Sequence, residues 1–175
     1  PISSHTHFPP LICPFHRNYS KKFNLSVPYV YAVKNRNDDV RFTSSSGGVF
    51  TAISDYVLEN SGVVYGAAFD ENFTVCHQKS YNKRERDKFK GSKYVQSDLD
   101  DIFSDIKAEL DAGKMVLFTG TPCQTAGLRA FLKNKQYERL ILCDLVCNGV
   151  PSPLLWKEYT SFITEKSKSE LKAYN

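Results

Sequence analysis

Two copies of one pattern, placed back to back, constrain this chain more than any other feature. The run "KMVLFTG", the turn "TPC" and the amphipathic "QTAGLRAFLKN" are followed by "RLILCDLV", the loop "CNGVPS" and "PLLWKEYTSFITEK". Each copy is an apolar run of strand length, then a polar turn, then apolar residues at helical spacing, with Pro153 in the first turn of the second helix. Consecutive βα units imply a parallel strand pair in an α/β fold.

Upstream, the chain reads as a mixed sheet with flanking helices. From Val30 the alternating "YVYAVK" predicts a short strand, and the polar "NRNDDV" leads on to "RFTSSSGGVFTAISDYVLENSG". There Ser46 or a neighbour is expected to cap a helix whose apolar residues are Val49, Phe50, Ile53, Val57 and Leu58, with Gly62 ending it. The strand "VVYGAAF" follows, and Asp70-Glu71-Asn72 turns it into an antiparallel partner, "FTVCHQKSY". After the charged helical turn "RERDKF", Ser97 with Asp100 three positions on predicts a capped start for "DLDDIFSDIKAELDAGK", closed by Gly113. Residues 1–29, rich in Pro, His, Ser and aromatics, read as an extended N-terminal arm or the remnant of a preceding domain. Residues 30–175 read as one α/β domain.

A chain of 175 residues with 41% hydrophobic and 24% charged residues has material for one real core. Its formal charge of +4 is mild and spread out, which argues against nucleic acid as partner. No apolar run is long enough to span a bilayer, and the first residues lack the pattern of a signal peptide, so a cytoplasmic protein is expected. Five cysteines, Cys13, Cys76, Cys123, Cys143 and Cys147, make an odd number that argues for reduced thiols over a disulfide framework. The sequons at Asn18, Asn24 and Asn72 would matter only in a secreted chain.

Three constellations could carry chemistry. Cys123 and Cys147 each fall between the carboxyl end of a predicted strand and the start of a helix, so parallel neighbours would bring both thiols to one sheet edge. Open α/β sheets bind ligands there, and helix N-termini favour thiolates and anions. Metal or redox chemistry competes with the plainer reading of two small core residues. Cys143, inside an apolar strand, and Cys76, inside an alternating strand with His77 beside it, read as packing residues. The second constellation, "SSSGGVFT", opens a helix with two glycines and could cradle a phosphate, or could be an ordinary capped start. In the third, Gly91, Ser92, Lys93 and Tyr94 put a turn, a cation and an aromatic together, which suits an anionic planar ligand or a plain solvated turn. Cys123 and Arg129 also match the spacing of cysteine-dependent phosphatases, although the helical period through Ala126, Leu128, Phe131 and Leu132 leaves little room for a phosphate loop.

The ordered series "SSSGGVFTA", "GSKYVQSD", "GTPCQTAGL" and "DLVCNGVPSP" resembles the coenzyme F420 hydrogenase/dehydrogenase beta-subunit family, from about Val30 to the end. The resemblance implies a flavin-containing iron-sulfur electron-transfer subunit. It would bind FAD and a 4Fe-4S cluster, pass electrons between them, and exchange a hydride with F420 or another soluble carrier. Hydrogenase or dehydrogenase subunits or a ferredoxin-like domain would be its redox partners. By the same resemblance Ser45, Ser46, Gly47, Gly48 and Thr51 belong to the flavin phosphate region, Ser92, Lys93 and Tyr94 to the flavin pocket, and Cys123 and Cys147 to the cluster ligands. Asn148 stands where relatives often have histidine. A ferredoxin-like cysteine cluster ahead of this region and a Cys-x-x-Cys after it, both usual in relatives, are not in this sequence. The ligand set is therefore expected to be incomplete, and the domain to be incomplete at its C-terminal end. A non-catalytic docking module for a redox complex is the alternative outside enzymology.

Overall fold

The computed structural model describes Pro14, Tyr19, Lys22 and residues 24–170. Cys13, the Asn18 sequon and most of the expected arm lie outside the described residues. The architecture is a four-stranded mixed sheet with helices on both faces, as expected from the sequence.

The elements run α1 (Asp38–Phe42), α2 (Val49–Glu59), β1 (Val63–Phe69), β2 (Val75–Ser80), α3 (Lys83–Arg86), a 3-10 turn (Asp87–Phe89), α4 (Ile102–Asp111), β3 (Val116–Gly120), α5 (Pro122–Phe131), β4 (Leu140–Asp144) and α6 (Pro153–Ser167). The strand order is β2-β1-β3-β4. The hairpin β1–β2 is antiparallel, while β1–β3 and β3–β4 are parallel, with Gly120 opposite Asp144 at the last shared position.

Alternation along β1 and β3 builds two cores. Val63, Tyr65, Val116 and Phe118 face α4 and α5, meeting Ile106, Leu110, Leu128 and Leu132. Val64, Ala68 and Leu117 face the other way, onto Val57 of α2 and Phe89. Both strands are buried on both faces, which is why they read as continuous apolar runs rather than as an alternation. Gly66 allows the second core to close, since a Cβ there would lie 2.9 Å from the Phe89 ring.

Three local expectations are corrected. Residues 30–34 form no strand: Val30 and Tyr31 are largely exposed, and alternation without a neighbouring strand leaves nothing to pair with. The polar "NRNDDV" is not a simple connection but starts α1, capped by the Asn37 side chain on the N–H groups of Asp39 and Val40. The two predicted serine caps are not used. Gly48, at φ 75°, is the N-cap of α2, and α4 is preceded by Asp101 with no side-chain cap.

Candidate functional site

The carboxyl ends of β3 and β4 share an edge, and the two cysteine turns follow them directly. Cys123 is the second residue of α5, exposed, and its Sγ lies 3.1 Å from Thr121 Oγ1. Cys147 lies in the loop between β4 and α6, half-buried, and its Sγ accepts the Gly149 N–H at 3.4 Å. The expectation that strand order would bring both turns to one sheet edge holds. Cys143 is in β4 and packs against the Val57–Leu117 core, where burial pushes its thiol up. Cys76 is half-buried in β2.

A hydrogen-bonded run that sequence reasoning missed lies beneath these turns. Thr121 N–H donates to Gln124 Oε1 at 3.0 Å, Gln124 Nε2 donates to Ser97 Oγ at 2.8 Å, and Ser97 Oγ is 2.9 Å from His77 Nδ1. His77 is buried, stacked on Phe118 at 5.2 Å between ring centres, with Nε2 3.0 Å from Thr119 O. Burial pushes its imidazole below the ordinary value, although the Thr119 carbonyl works the other way. The local signal was the Thr-x-x-Gln spacing of "TPCQ", the pattern of a capping box. Ser97 serves His77 rather than the start of α4.

The loop of Cys147 joins the same segment, because Gln96 N–H donates to Pro151 O at 3.0 Å. Residues 95–98 also flank the outer side of β2, with His77 N–H on Asp98 O at 2.8 Å and Asp98 N–H on Val75 O at 2.9 Å.

The two expected flavin segments come together. A Cβ at Gly91 would lie 3.8 Å from Ser45 Oγ, so the "SSSGG" turn and the Gly91–Tyr94 turn are neighbours. Thr51, in the first turn of α2, is buried, and its Oγ1 has no hydrogen-bond partner among the described residues. Lys93 Nζ donates to the carbonyls of Lys88, Lys90 and Gly91, and burial pushes its ammonium down to about 8. Tyr94 is exposed. Gly47 has a structural reason of its own: a Cβ there would stand 2.8 Å from Val33 O, where residues 33–35 cross the turn and Asn35 N–H donates to Gly47 O at 2.7 Å.

The phosphatase reading is overturned. Cys123 and Arg129 lie on one continuous helix, α5, six residues or roughly 9 Å of rise apart, so no loop of amides forms around the thiol.

As cluster ligands the thiols fall short. A 4Fe-4S cluster takes four ligands as a rule, and among the described residues no group of three or more His, Cys, Asp or Glu side chains is set to hold a metal ion. The flavin side offers groups that suit a phosphate: the start of α2 has no side-chain cap, Thr51 Oγ1 is buried without a hydrogen-bond partner among the described residues, and Lys93 is gathered onto backbone carbonyls of the Gly91 turn that meets Ser45. Among the described residues no helix is long and apolar enough to cross a membrane.

Residues 113–174 match the family described as the C terminus of the beta subunit of coenzyme F420 hydrogenase/dehydrogenase. A chain in the xenon-derivatised F420-reducing [NiFe] hydrogenase complex from Methanosarcina barkeri has a similar fold, with TM-score 0.57 and 18% identity over 81% of this chain. This chain spans about half of that one, 53%. No curated protein matches.

Proposed function

We propose, from the match of residues 113–174 to the C terminus of the coenzyme F420 hydrogenase/dehydrogenase beta subunit, that this chain is part of a flavin-dependent electron-transfer subunit of that family. FAD would lie against the start of α2 and the Gly91–Tyr94 turn. F420 or another soluble carrier would exchange a hydride, and hydrogenase or dehydrogenase subunits or a ferredoxin-like domain would be the redox partners. The observation that carries the flavin assignment is the meeting of Ser45 with Gly91 at the uncapped start of α2, the helix whose first turn also holds the unpartnered Thr51 hydroxyl.

In this reading the first amides of α2 and Thr51 Oγ1 hold phosphate oxygens. Lys93, held by three carbonyls, adds positive charge beside them. Tyr94 offers an exposed ring on which a planar group can stack. A flavin, when bound, supplies exchange of a hydride or of single electrons. The ligand set that Cys123 and Cys147 offer for a 4Fe-4S cluster is incomplete, and no electron-transfer step through such a cluster is assigned to this chain.

The test is titration of the full chain with FAD, followed by flavin absorbance and fluorescence, against Thr51→Val and Lys93→Met. Gly48 is a poor probe, because φ 75° and contacts of 3.1 Å to Asn35 and Val40 would strain any side chain there. Wild type is expected to retain FAD, and the double substitution to weaken it at least about ten-fold, near 1.4 kcal/mol, with unchanged circular dichroism. No FAD uptake by wild type, or equal affinity in the variants, would reject the site.

A further inference from the structure

His77 has both ring nitrogens engaged, and the partners fix their roles. Thr119 O can only accept, so Nε2 carries the proton and donates to it, which leaves Nδ1 as acceptor and Ser97 Oγ as its donor. The Ser97 oxygen is then free to accept from Gln124 Nε2, and Gln124 Oε1 accepts from Thr121 N–H. The orientation of the Gln124 amide follows from this polarity. Flipped, its nitrogen would face the Thr121 N–H, donor against donor, and its oxygen would face Ser97 Oγ, whose proton is committed to His77.

We propose that Gln124 is a positioning residue for Cys123, holding the turn that carries the thiol in register with the Gly91–Ser97 segment through Ser97 and His77. The proposal rests on the reading of Cys123 as a site residue. Thr121 is the link to the sulfur: its amide is fixed by Gln124, and its hydroxyl lies 3.1 Å from Cys123 Sγ. Ser97 is six residues beyond Gly91, and its neighbour Gln96 holds the Cys147 loop through Pro151 O. One side chain thus sets the distance between a cysteine turn and the segment that borders the flavin side. A ring of fixed tautomer at the buried end makes the run directional, since each group in it has one role.

Two substitutions separate this from a general loss of packing. Gln124→Met keeps the length and helix compatibility but removes both hydrogen bonds. Gln124→Glu keeps an acceptor for Thr121 N–H but offers Ser97 a second acceptor in place of a donor. The measurements, on the full chain free of metal and flavin, are amide hydrogen exchange at Thr121, the 15N shifts of the His77 ring, and iodoacetamide labelling rates of Cys123 and Cys143.

In Gln124→Met, exchange at Thr121 should accelerate about ten-fold, the equivalent of one lost hydrogen bond, and Cys123 labelling should change several-fold while Cys143 does not. In Gln124→Glu, Thr121 should stay protected while the His77 Nδ1 shift moves towards that of an unbonded nitrogen, as the Ser97 hydroxyl turns to the carboxylate. Unchanged Thr121 exchange in Gln124→Met, or unchanged His77 shifts in Gln124→Glu, would overturn the proposal. So would Cys123 and Cys143 accelerating together, which marks global loosening. FAD affinity, measured separately, decides the functional reading on its own.

Discussion

Arg86 Nη2 lies 2.7 Å from Asp55 Oδ1, as an ion pair off hydrogen-bond alignment, and the arginine side chain is almost wholly buried. Its other nitrogens meet Thr51 O at 3.2 Å, Ser54 Oγ, and Asp87 Oδ1 at 2.9 Å. A residue read from the sequence only as part of a charged helical turn is therefore the anchor of the first turns of α2. Arg86→Ala should cost about 3 kcal/mol, because it takes the buried cation from Asp55 Oδ1, leaving that carboxylate only Lys83 among the described residues, and removes the hydrogen bonds to Thr51 O and Ser54 Oγ. Urea unfolding measures this. Arg86→Met with Asp55→Leu should recover much of the loss, and a double variant as unstable as Arg86→Ala would refute the pairing.

Acid should weaken the protein through α4. Burial works against the Asp105 carboxylate, but hydrogen bonds from Lys79 at 2.8 Å and from Tyr65 at 2.8 Å outweigh it and hold the group below the ordinary range. Glu109 is likewise held low, against burial, by Lys114 and Tyr81. A depressed carboxyl contributes stability that is present above its unfolded value, roughly 4, and is lost as pH falls through the lower folded value. Asp105→Asn should therefore flatten the acid limb of a plot of stability against pH, at a loss of about 1–2 kcal/mol near neutrality. An unaltered acid limb would count against this account.

Gly47→Ala should act by displacing residues 33–35, whatever ligand is present. Its Cβ would meet Val33 O at 2.8 Å, closer than real Cβ contacts come, so one of the two backbones must shift. A cost of about 1–3 kcal/mol is expected, together with faster proteolysis around Lys34 in the flavin-free protein. If the variant is as stable as wild type and only FAD affinity falls, the glycine serves the ligand and not the chain crossing.

Thiol reactivity should follow exposure. Cys123 is exposed, whereas burial and the neighbouring Asp144 push Cys143 up and reduce its thiolate. Iodoacetamide at pH 8 should label Cys123 first, with Cys143 slower by on the order of ten-fold or more, as read by mass spectrometry of digests. Cys147, half-buried, should also precede Cys143. Labelling of Cys143 ahead of Cys123 would contradict the described packing.

What could be read from the sequence was what depends on neighbours in the chain or on strand order. Val116–Phe118 and Leu140–Cys143 are apolar throughout because both belong to a parallel pair, and the helical period from Pro122 puts Ala126, Leu128 and Leu132 on the buried side. The shared edge of the two cysteine turns follows from that order alone. Other features needed partners far away. Residues 30–34 alternate like a strand, but strand formation depends on a neighbour that a local pattern cannot supply. Ser97 satisfies the local rule for a helix cap, yet its hydroxyl is taken by His77, twenty residues earlier. The five-residue α1 is too short to show an apolar period, and only the Asn37 cap announces it.

The sequence has a single tryptophan, and it sits where α6 touches the β1–β2 hairpin. Trp156 Nε1 donates to Phe73 O at 2.8 Å, and its ring lies 6.0 Å from that of Phe69, while α6 itself has no buried residue. The intrinsic indole emission of this protein is thus an optical gauge of one joint. A red shift in fluorescence reports α6 lifting from the hairpin, and it can precede any loss of far-ultraviolet ellipticity from the sheet, so a melting curve taken at that wavelength describes a hinge before it describes a fold.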